Sequence, residues 1–457
     1  MTTWPTIVRP LDAASDALPV TSRTPARASA WCLALGLVGS SATAWRIPGA
    51  PFGAGEVALL VWLAYEWSRR GRAALLASWP PAGQTMTPDA IALLCTLATL
   101  AAAQLYANVS GYLGWTTQRD FVAILFAAGL SYTLVTLPDR ETFSRSMLIG
   151  YFWLATTLSS VLLLYAAIPR SAGLAPVVFD PVFGSRFLGL AANPNQYALL
   201  MLTLPSCVAL AWTSHRGKTR HAALALGCFG LMGGLATQSD ALMLTWALLF
   251  VGAVGTVAYS RRTATPMPSG PAMVIAGSVL LAFLGWSQMQ RLIEVTIPAS
   301  ASAADATGAR PSKAVVTTYA QIVAEERRTN PHQVNQVQTR LSLYTNGLRA
   351  WSDRPLLGHG VQMVGGLTGP YEKNEAHNTI IDWLTFAGVI GLIPLVAWSW
   401  LLVDHAWRRR NVLGVGTLLA IGIFAQFGLY VRHPLFWVVA CAFASLPGQL
   451  PRPVESK

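Results

Sequence analysis

Twelve separate apolar runs, most of them near the length of a bilayer-crossing helix, constrain this 457-residue chain more than any other feature. A hydrocarbon core of roughly 30 Å takes about 20 helical residues to cross. The runs lie near 30–47, 53–68, 88–106, 120–137, 146–168, 194–213, 220–237, 241–259, 271–289, 378–403, 412–431 and 434–448; the second and last are short, and the runs either side of 237–241 almost touch. Backbone amides inside lipid must be satisfied within their own segment, so these runs predict helices. Composition points the same way. The chain is 53% hydrophobic and 11% charged, with 17 Trp, whereas soluble domains are about one quarter charged. The expected fold is an all-α polytopic membrane protein with about 12 transmembrane helices.

The net charge of +12 does not point to nucleic acid, because the basic residues fall in short clusters between apolar runs, as membrane topology requires. Cys32, Cys95, Cys207, Cys228 and Cys441 all lie in apolar segments without metal-ligand spacing, so neither a disulfide framework nor a zinc site is expected. Residues 1–29 are polar and Pro-rich, and read as a disordered cytoplasmic tail rather than a cleaved signal.

Lys and Arg are retained on the cytoplasmic side. One set of alternate loops holds Arg69, Arg70, Arg72, Arg140, Arg145, Arg216, Lys218, Arg220, Arg261, Arg262, Arg408, Arg409 and Arg410; the opposite set holds only Arg46, Arg119, Arg170, Arg186 and Arg432. This imbalance places both termini inside. The expected layout is a tail at 1–29, helices at 30–289, a long loop on the far side of the membrane at 290–377, helices at 378–448 and a cytoplasmic tail at 449–457. Within the loop, Val315, Val316, Tyr319, Ile322 and Val323 follow helical spacing, and Leu341, Tyr344, Leu348 and Trp351 suggest a second amphipathic helix. Two such helices would lie as a lid over the outer surface or simply pack on the bundle.

Three outward-facing clusters could carry chemistry. Arg186-Phe-Leu-Gly189 precedes Asn193-Pro194-Asn195, in which Asn193 suits an N-cap and Pro194 the first helical position. Arg340 opens an amphipathic stretch that leads into Arg354-Pro-Leu-Leu-Gly-His-Gly360. Asn374 to Leu392 runs from polar residues straight into a long apolar helix, with Thr379 and Asp382 spaced as a capping box. His377 then sits beside the positive end of a helix dipole, which favours the neutral ring and welcomes an anion. Two arginines, a histidine and two helix N-termini suit a pyrophosphate, since guanidinium groups bind phosphate oxygens bidentately. Taken singly, any one Arg is more often a solvated or interfacial charge, while His377 and Asn378 are equally explained as interfacial residues at a helix end.

Together these elements resemble the O-antigen ligase and O-antigen polymerase superfamily. Arg186, Gly189, Asn193, Pro194 and Asn195 match its first element. Arg340, Tyr344, Pro355, Leu356, Leu357, Gly358 and Gly360 match the second, and His377, Asn378, Gly388, Gly391 and Leu392 the third. Ser239-Asp240 departs from the pattern where relatives often carry Ser-Arg, which puts a third phosphate-binding Arg in doubt. The resemblance implies a membrane glycosyltransferase of the type C kind, metal-independent and inverting, that needs no cofactor and sits in the bacterial inner membrane with its active site on the periplasmic side. Its donor would be an undecaprenyl pyrophosphate-linked glycan and its acceptor the lipid A–core oligosaccharide, completing lipopolysaccharide.

On this reading Arg186 and Arg340 bind the donor pyrophosphate and His377 is either the base that takes the acceptor proton or a phosphate ligand. Asn193, Asn195, Tyr344, His359 and Asn378 support the site, with Glu372 and Glu375 as alternative bases. The competing readings are an O-antigen polymerase with a second polyprenyl-linked glycan as acceptor, a protein O-oligosaccharyltransferase, and a lipid-linked sugar transporter. Charges concentrated at one surface rather than at mid-bilayer favour chemistry over transport.

Overall fold

The computed structural model describes residues 23–43, 53–76, 86–110, 115–171, 182–183, 186–262, 269–292, 294–297, 315–318, 332–361 and 375–448. Every one of the twelve apolar runs falls on helix. These are α1 (Arg23–Ser40), α2 (Ala54–Leu76), α3 (Pro88–Val109), α4 (Trp115–Val135), α5 (Arg140–Ser171), α6 (Pro194–Met201) with α7 (Leu204–Ser214), α8 (Gly217–Ala236), α9 (Asp240–Arg262), α10 (Ser269–Leu292), α12 (Thr379–Arg408), α13 (Val412–Phe424) and α14 (Pro434–Ala444); α11 (His332–Asp353) precedes α12. Two short hairpins complete the described chain: β1 (Val182–Phe183) with β2 (Arg186–Phe187), and β3 (Glu294–Ile297) with β4 (Val315–Thr318), both antiparallel.

Among the described residues, six helical stretches, α3, α5, α6 with α7, α9, α10 and α12, are long and apolar enough to cross a membrane. α13 and α14 are apolar but shorter. α2 carries Glu56, Glu66, Arg69, Arg70 and Arg72 along its length, which lowers its hydropathy. The outer faces are apolar in the manner of a lipid-facing surface, with Leu105, Val251, Ile393 and Trp400 each more than 60% exposed.

Contacts sort the helix ends into two faces. At one, Arg70 of α2 donates to Thr136 Oγ1 and the Thr133 carbonyl near the end of α4, both at 2.7 Å. Arg140, opening α5, reaches Asp89 at the start of α3 (3.3 Å) and His405 Nε2 near the end of α12 (3.0 Å), while Arg409 meets Glu141 at 2.9 Å. At the other face, Thr43 donates to Gln196 Oε1 of α6 (2.7 Å), and Arg432, just before α14, meets Asp120 of α4 (3.5 Å) and Glu375 (2.5 Å). The basic clusters gather at the first face. His377 belongs to the second.

Two membrane-length helices are broken, and each break is satisfied from elsewhere. Between α6 and α7, Pro205 has no amide to donate, and the Leu200 and Leu202 carbonyls accept from Tyr151 Oη and Trp246 Nε1. In α12 the helix breaks at Gly388, whose φ is +62°. The Pro355–Gly360 loop plugs this break with four backbone hydrogen bonds. His359 N–H and Gly360 N–H donate to the Thr385 and Phe386 carbonyls at 2.7 and 2.9 Å, and Val389 N–H and Ile390 N–H donate to Pro355 and Leu356 at 2.9 and 3.2 Å. The contact is backbone on backbone: a Cβ on Gly388 would lie 2.2 Å from the Leu356 carbonyl oxygen, and one on Gly358 would lie 2.6 Å from Thr385 and Phe386 backbone. Gln104 of α3 closes the loop by accepting from Val361 N–H at 2.8 Å.

The structure corrects three expectations. The stretch from Val315, read as helical, is strand at Val315–Thr318, because four consecutive β-branched residues pair with Glu294–Ile297; residues 319–331 lie outside the described chain. The second amphipathic helix forms as α11, but the buried face is Leu343, Gly347 and Ala350, with Leu341 and Leu348 exposed. Gly347 sets this face, since a Cβ there would lie 2.6 Å from Ile381 of α12. Finally, α1 starts at Arg23, inside the stretch expected as tail; residues 1–22 and 449–457 lie outside the described chain.

Gly388→Ala tests the plugged break. A left-handed Ala costs about 1–2 kcal/mol, and the clash with Leu356 adds to it by expelling the loop. The expected result is a clear fall in thermal unfolding temperature in detergent together with faster hydrogen exchange at His359 and Gly360; unchanged exchange there would contradict the account.

Candidate active site

The N-terminal end of α12 is built by two side chains that hold backbone. Asn378 is the N-cap, with φ −145° and a carboxamide oxygen that accepts from Ile380 N–H and Ile381 N–H. The expected cap at Thr379 is therefore displaced by one residue, because the Thr379 hydroxyl donates instead to the Gly428 carbonyl at 2.7 Å. Asp382 does reach back, one turn in. Its buried carboxylate accepts from Ala376 N–H (2.7 Å) and Asn378 N–H (3.3 Å), bracketing His377. Held on both sides, His377 adopts φ +56°, a left-handed conformation that costs a non-glycine residue about 1–2 kcal/mol and persists only where neighbours dictate it.

His377 projects half-exposed, with Nδ1 3.8 Å from Glu375 Oε2. Glu375 is buried and ion-paired to Arg432 at 2.5 Å; Arg432 also meets Asp120, which Arg119 contacts at 3.3 Å. A run of alternating charges thus ends at the imidazole. The carboxylate on the Nδ1 side favours a proton there and leaves Nε2 as the acceptor. Partial withdrawal from water lowers the pKa of His377; Glu375 opposes this, and the nearby charges of Arg340 and Arg432 add to the lowering. The ring is neutral at neutral pH.

Arg340 approaches from α11. Its guanidinium carbon lies 5.8 Å from the centroid of the Phe427 ring, and its charge acts on both His377 and Tyr430. Among the described residues it has no hydrogen-bond or ion-pair partner. The same helix brings Tyr344, whose hydroxyl donates to the Gln426 carbonyl at 3.2 Å, and Asn378 Nδ2 donates to Gln426 O and Oε1, each at 3.2 Å. Arg340, Tyr344, His377 and Asn378 therefore share one cluster around Gln426–Tyr430.

The other sequence candidates have different partners. Asn193 caps α6 as expected, accepting from Asn195 N–H at 2.8 Å. Gly189, at φ +57°, leaves room for Tyr197, whose ring meets Phe187 edge-on at 5.3 Å. Arg186 donates to the Thr237 and Gln238 carbonyls (3.0 and 3.2 Å), where a cation complements the C-terminal end of α8. His359 directs Nε2 to the Ala350 carbonyl at 2.7 Å, which fastens the plugging loop to α11. Glu372 lies outside the described residues. Sequence reading gave Arg432 no role beyond topology; its place just ahead of His433-Pro434, at a helix start, is the one local signal, and the contact with Glu375 is what brings it near His377.

Comparison with known families bears on the same segment. Residues 198–396 match the family model described as O-antigen ligase. The match supports the O-antigen ligase family. It takes in Arg340, Tyr344, His359, His377 and Asn378, covers under half of the chain, and stops short of Arg186 on one side and Arg432 on the other. No curated protein matches the chain. The match supports an O-antigen ligase or polymerase type of function, and the apolar helices support an all-α membrane architecture.

Histidine NMR on labelled protein in detergent, with His377→Asn for assignment among the seven His, should show His377 titrating below the ordinary value of about 6.5. In Glu375→Gln the midpoint should drop further, because the one group that raises it is removed. A ring that binds its proton less readily folded than unfolded also makes folding stability fall as pH drops below that range. A midpoint above 6.5 would contradict this electrostatic picture.

Proposed function

We propose that the protein is an O-antigen ligase: it transfers glycan from an undecaprenyl pyrophosphate donor to lipid A–core oligosaccharide on the periplasmic face of the bacterial inner membrane. The observation that carries the reading is the guanidinium of Arg340, which has no ion-pair partner among the described residues, beside a half-exposed histidine whose pKa is lowered, at the bundle face opposite the basic clusters. A cation without an anionic partner among the described residues suits an incoming anion, and each charge-assisted contact to a pyrophosphate oxygen contributes about 1.5–3 kcal/mol. The positive-inside rule supports assigning this face to the periplasm, with the loop 290–377 over it and both termini cytoplasmic.

In the proposed step the acceptor hydroxyl attacks the anomeric carbon from the side opposite the pyrophosphate. The carbon–oxygen bond to the pyrophosphate breaks, its electron pair leaves with the polyprenyl pyrophosphate, and the hydroxyl proton passes to His377 Nε2. Glu375 stabilises the imidazolium that forms, and Arg432 holds Glu375 in place. Arg340 stabilises the growing charge on the leaving group, with Arg186 as a second contact; cationic side chains do here what a divalent cation does elsewhere. Asn378 and Tyr344 fix the relative position of α11 and α12, and Asn193 and Asn195 set the α6 terminus beside Arg186.

Purified protein in lipid, given polyprenyl pyrophosphate oligosaccharide with and without lipid A–core, separates the readings by product mass. A product formed only with lipid A–core establishes the ligase, chains lengthened without it establish a polymerase, and no covalent product under either condition restores the transporter reading. His377→Ala should lower turnover about 10²–10⁴-fold while sparing donor binding, whereas Arg340→Ala should weaken both. Turnover should stay level through neutral pH and fall as pH drops through a value below 6.5. Equal loss of donor binding in the two variants would make His377 a phosphate ligand and not a base.

A further inference from the structure

The face opposite His377 carries a feature that glycosyl transfer does not use. Arg216, Lys218, Arg220 and His221 cluster at the start of α8, and α9 returns to the same face with Arg261 and Arg262 in its last turn. Residues 205–238 and 256–281 contain no Asp or Glu, so nothing along these segments neutralises the cluster. The Arg220 guanidinium carbon lies 3.9 Å over the Trp212 ring, which His221 meets edge-on. The buried Arg220 Nε has no hydrogen-bond partner among the described residues. An aromatic face orients such a charge without cancelling it.

Beside Arg220 opens a cavity of about 260 Å³ lined by Trp212, Leu224 and the α10 residues Gly270, Gly277 and Leu281. A Cβ on Gly270 or Gly277 would meet no atom within 4 Å among the described residues. These glycines therefore floor an open trough. From Gly270 to Leu281 the helix rises about 16 Å, roughly half of a 30 Å hydrocarbon core. Met273 and Leu281, each about half exposed, keep the rim apolar.

We propose that this trough binds one anionic phospholipid, its phosphate against Arg220 with Arg216 and Lys218, and an acyl chain along α10 over Gly270 and Gly277. A cationic mouth joined to an apolar groove one leaflet deep is complementary to an amphiphile with an anionic head; a soluble anion would leave the groove unused. The bound lipid bridges α7 and α8 to α10 at the basic face.

The test uses the full chain in detergent, titrated with phosphatidylglycerol or phosphatidylethanolamine, with bound lipid read by native mass spectrometry. Wild type should retain phosphatidylglycerol in preference. Arg220→Gln should lower that retention about fivefold, the effect of one basic residue at an anionic surface. Gly277→Leu fills the trough with every charge kept and should also lower it, whereas Arg69→Gln, a charge lost elsewhere on the same face, should not. Equal retention of the two lipids by wild type, or equal losses in Arg69→Gln and Arg220→Gln, would overturn the proposal in favour of a diffuse cationic rim.

Discussion

Four backbone hydrogen bonds between the Pro355–Gly360 loop and the break in α12 tie together the segments that carry the candidate site. A helix broken within an apolar environment exposes amides and carbonyls, each costing about 2–7 kcal/mol if left unpaired. The loop supplies both donors and acceptors, so two segments that could not stand alone complete one another. The consequence reaches the site. The loop is the continuation of α11, which carries Arg340, and the segment it locks is the start of α12, which carries His377. The His359 ring and Gly347 fix the same helices against each other, so the spacing between the guanidinium and the imidazole is a property of backbone packing rather than of long flexible side chains.

On that frame the electrostatics are divided with little waste. Asp382 and Asn378 are consumed in holding backbone, and their product is a histidine in a conformation it would not choose alone. Arg432 and Asp120 are consumed in holding Glu375, and their product is a carboxylate facing Nδ1. Arg340 lies over a ring and meets no anion among the described residues. Strain, orientation and a charge without an anionic partner among the described residues coincide at one end of the bundle, the arrangement expected where pre-organisation serves a reaction. Arg186 stands differently, since carbonyls at the end of α8 already occupy it. Its observed role is structural, and the donor contact proposed for it would come on top of that.

Hydropathy made the helices legible because a bilayer tolerates almost nothing else over a run of about 20 apolar residues. Terminus chemistry was legible where it was local: Asn193-Pro194 caps α6 as its residue types require. It slipped by one residue at Asn378, where Thr379 is an equally good cap by type and loses only because Gly428 draws its hydroxyl away. Val315–Thr318 shows the same limit, since its helical spacing yields to a strand partner that lies well before it in the chain. Arg432 and Asp120 are 312 residues apart, and no spacing rule connects them. Gly358, Gly360 and Gly388 stood out only as glycines of the family pattern; that Gly358 and Gly388 each face backbone across one helix break is a tertiary fact.

The central claim is that the donor pyrophosphate sits on Arg340 with His377 facing the reacting carbon. A cryo-electron microscopy structure with a bound polyprenyl pyrophosphate sugar tests it most directly. The account predicts pyrophosphate oxygens within hydrogen-bond distance of the Arg340 guanidinium, the imidazole Nε2 turned toward the anomeric carbon, and the α12 break unchanged. A pyrophosphate bound away from Arg340, or an Arg340 turned to a protein carboxylate with the donor in place, would contradict it.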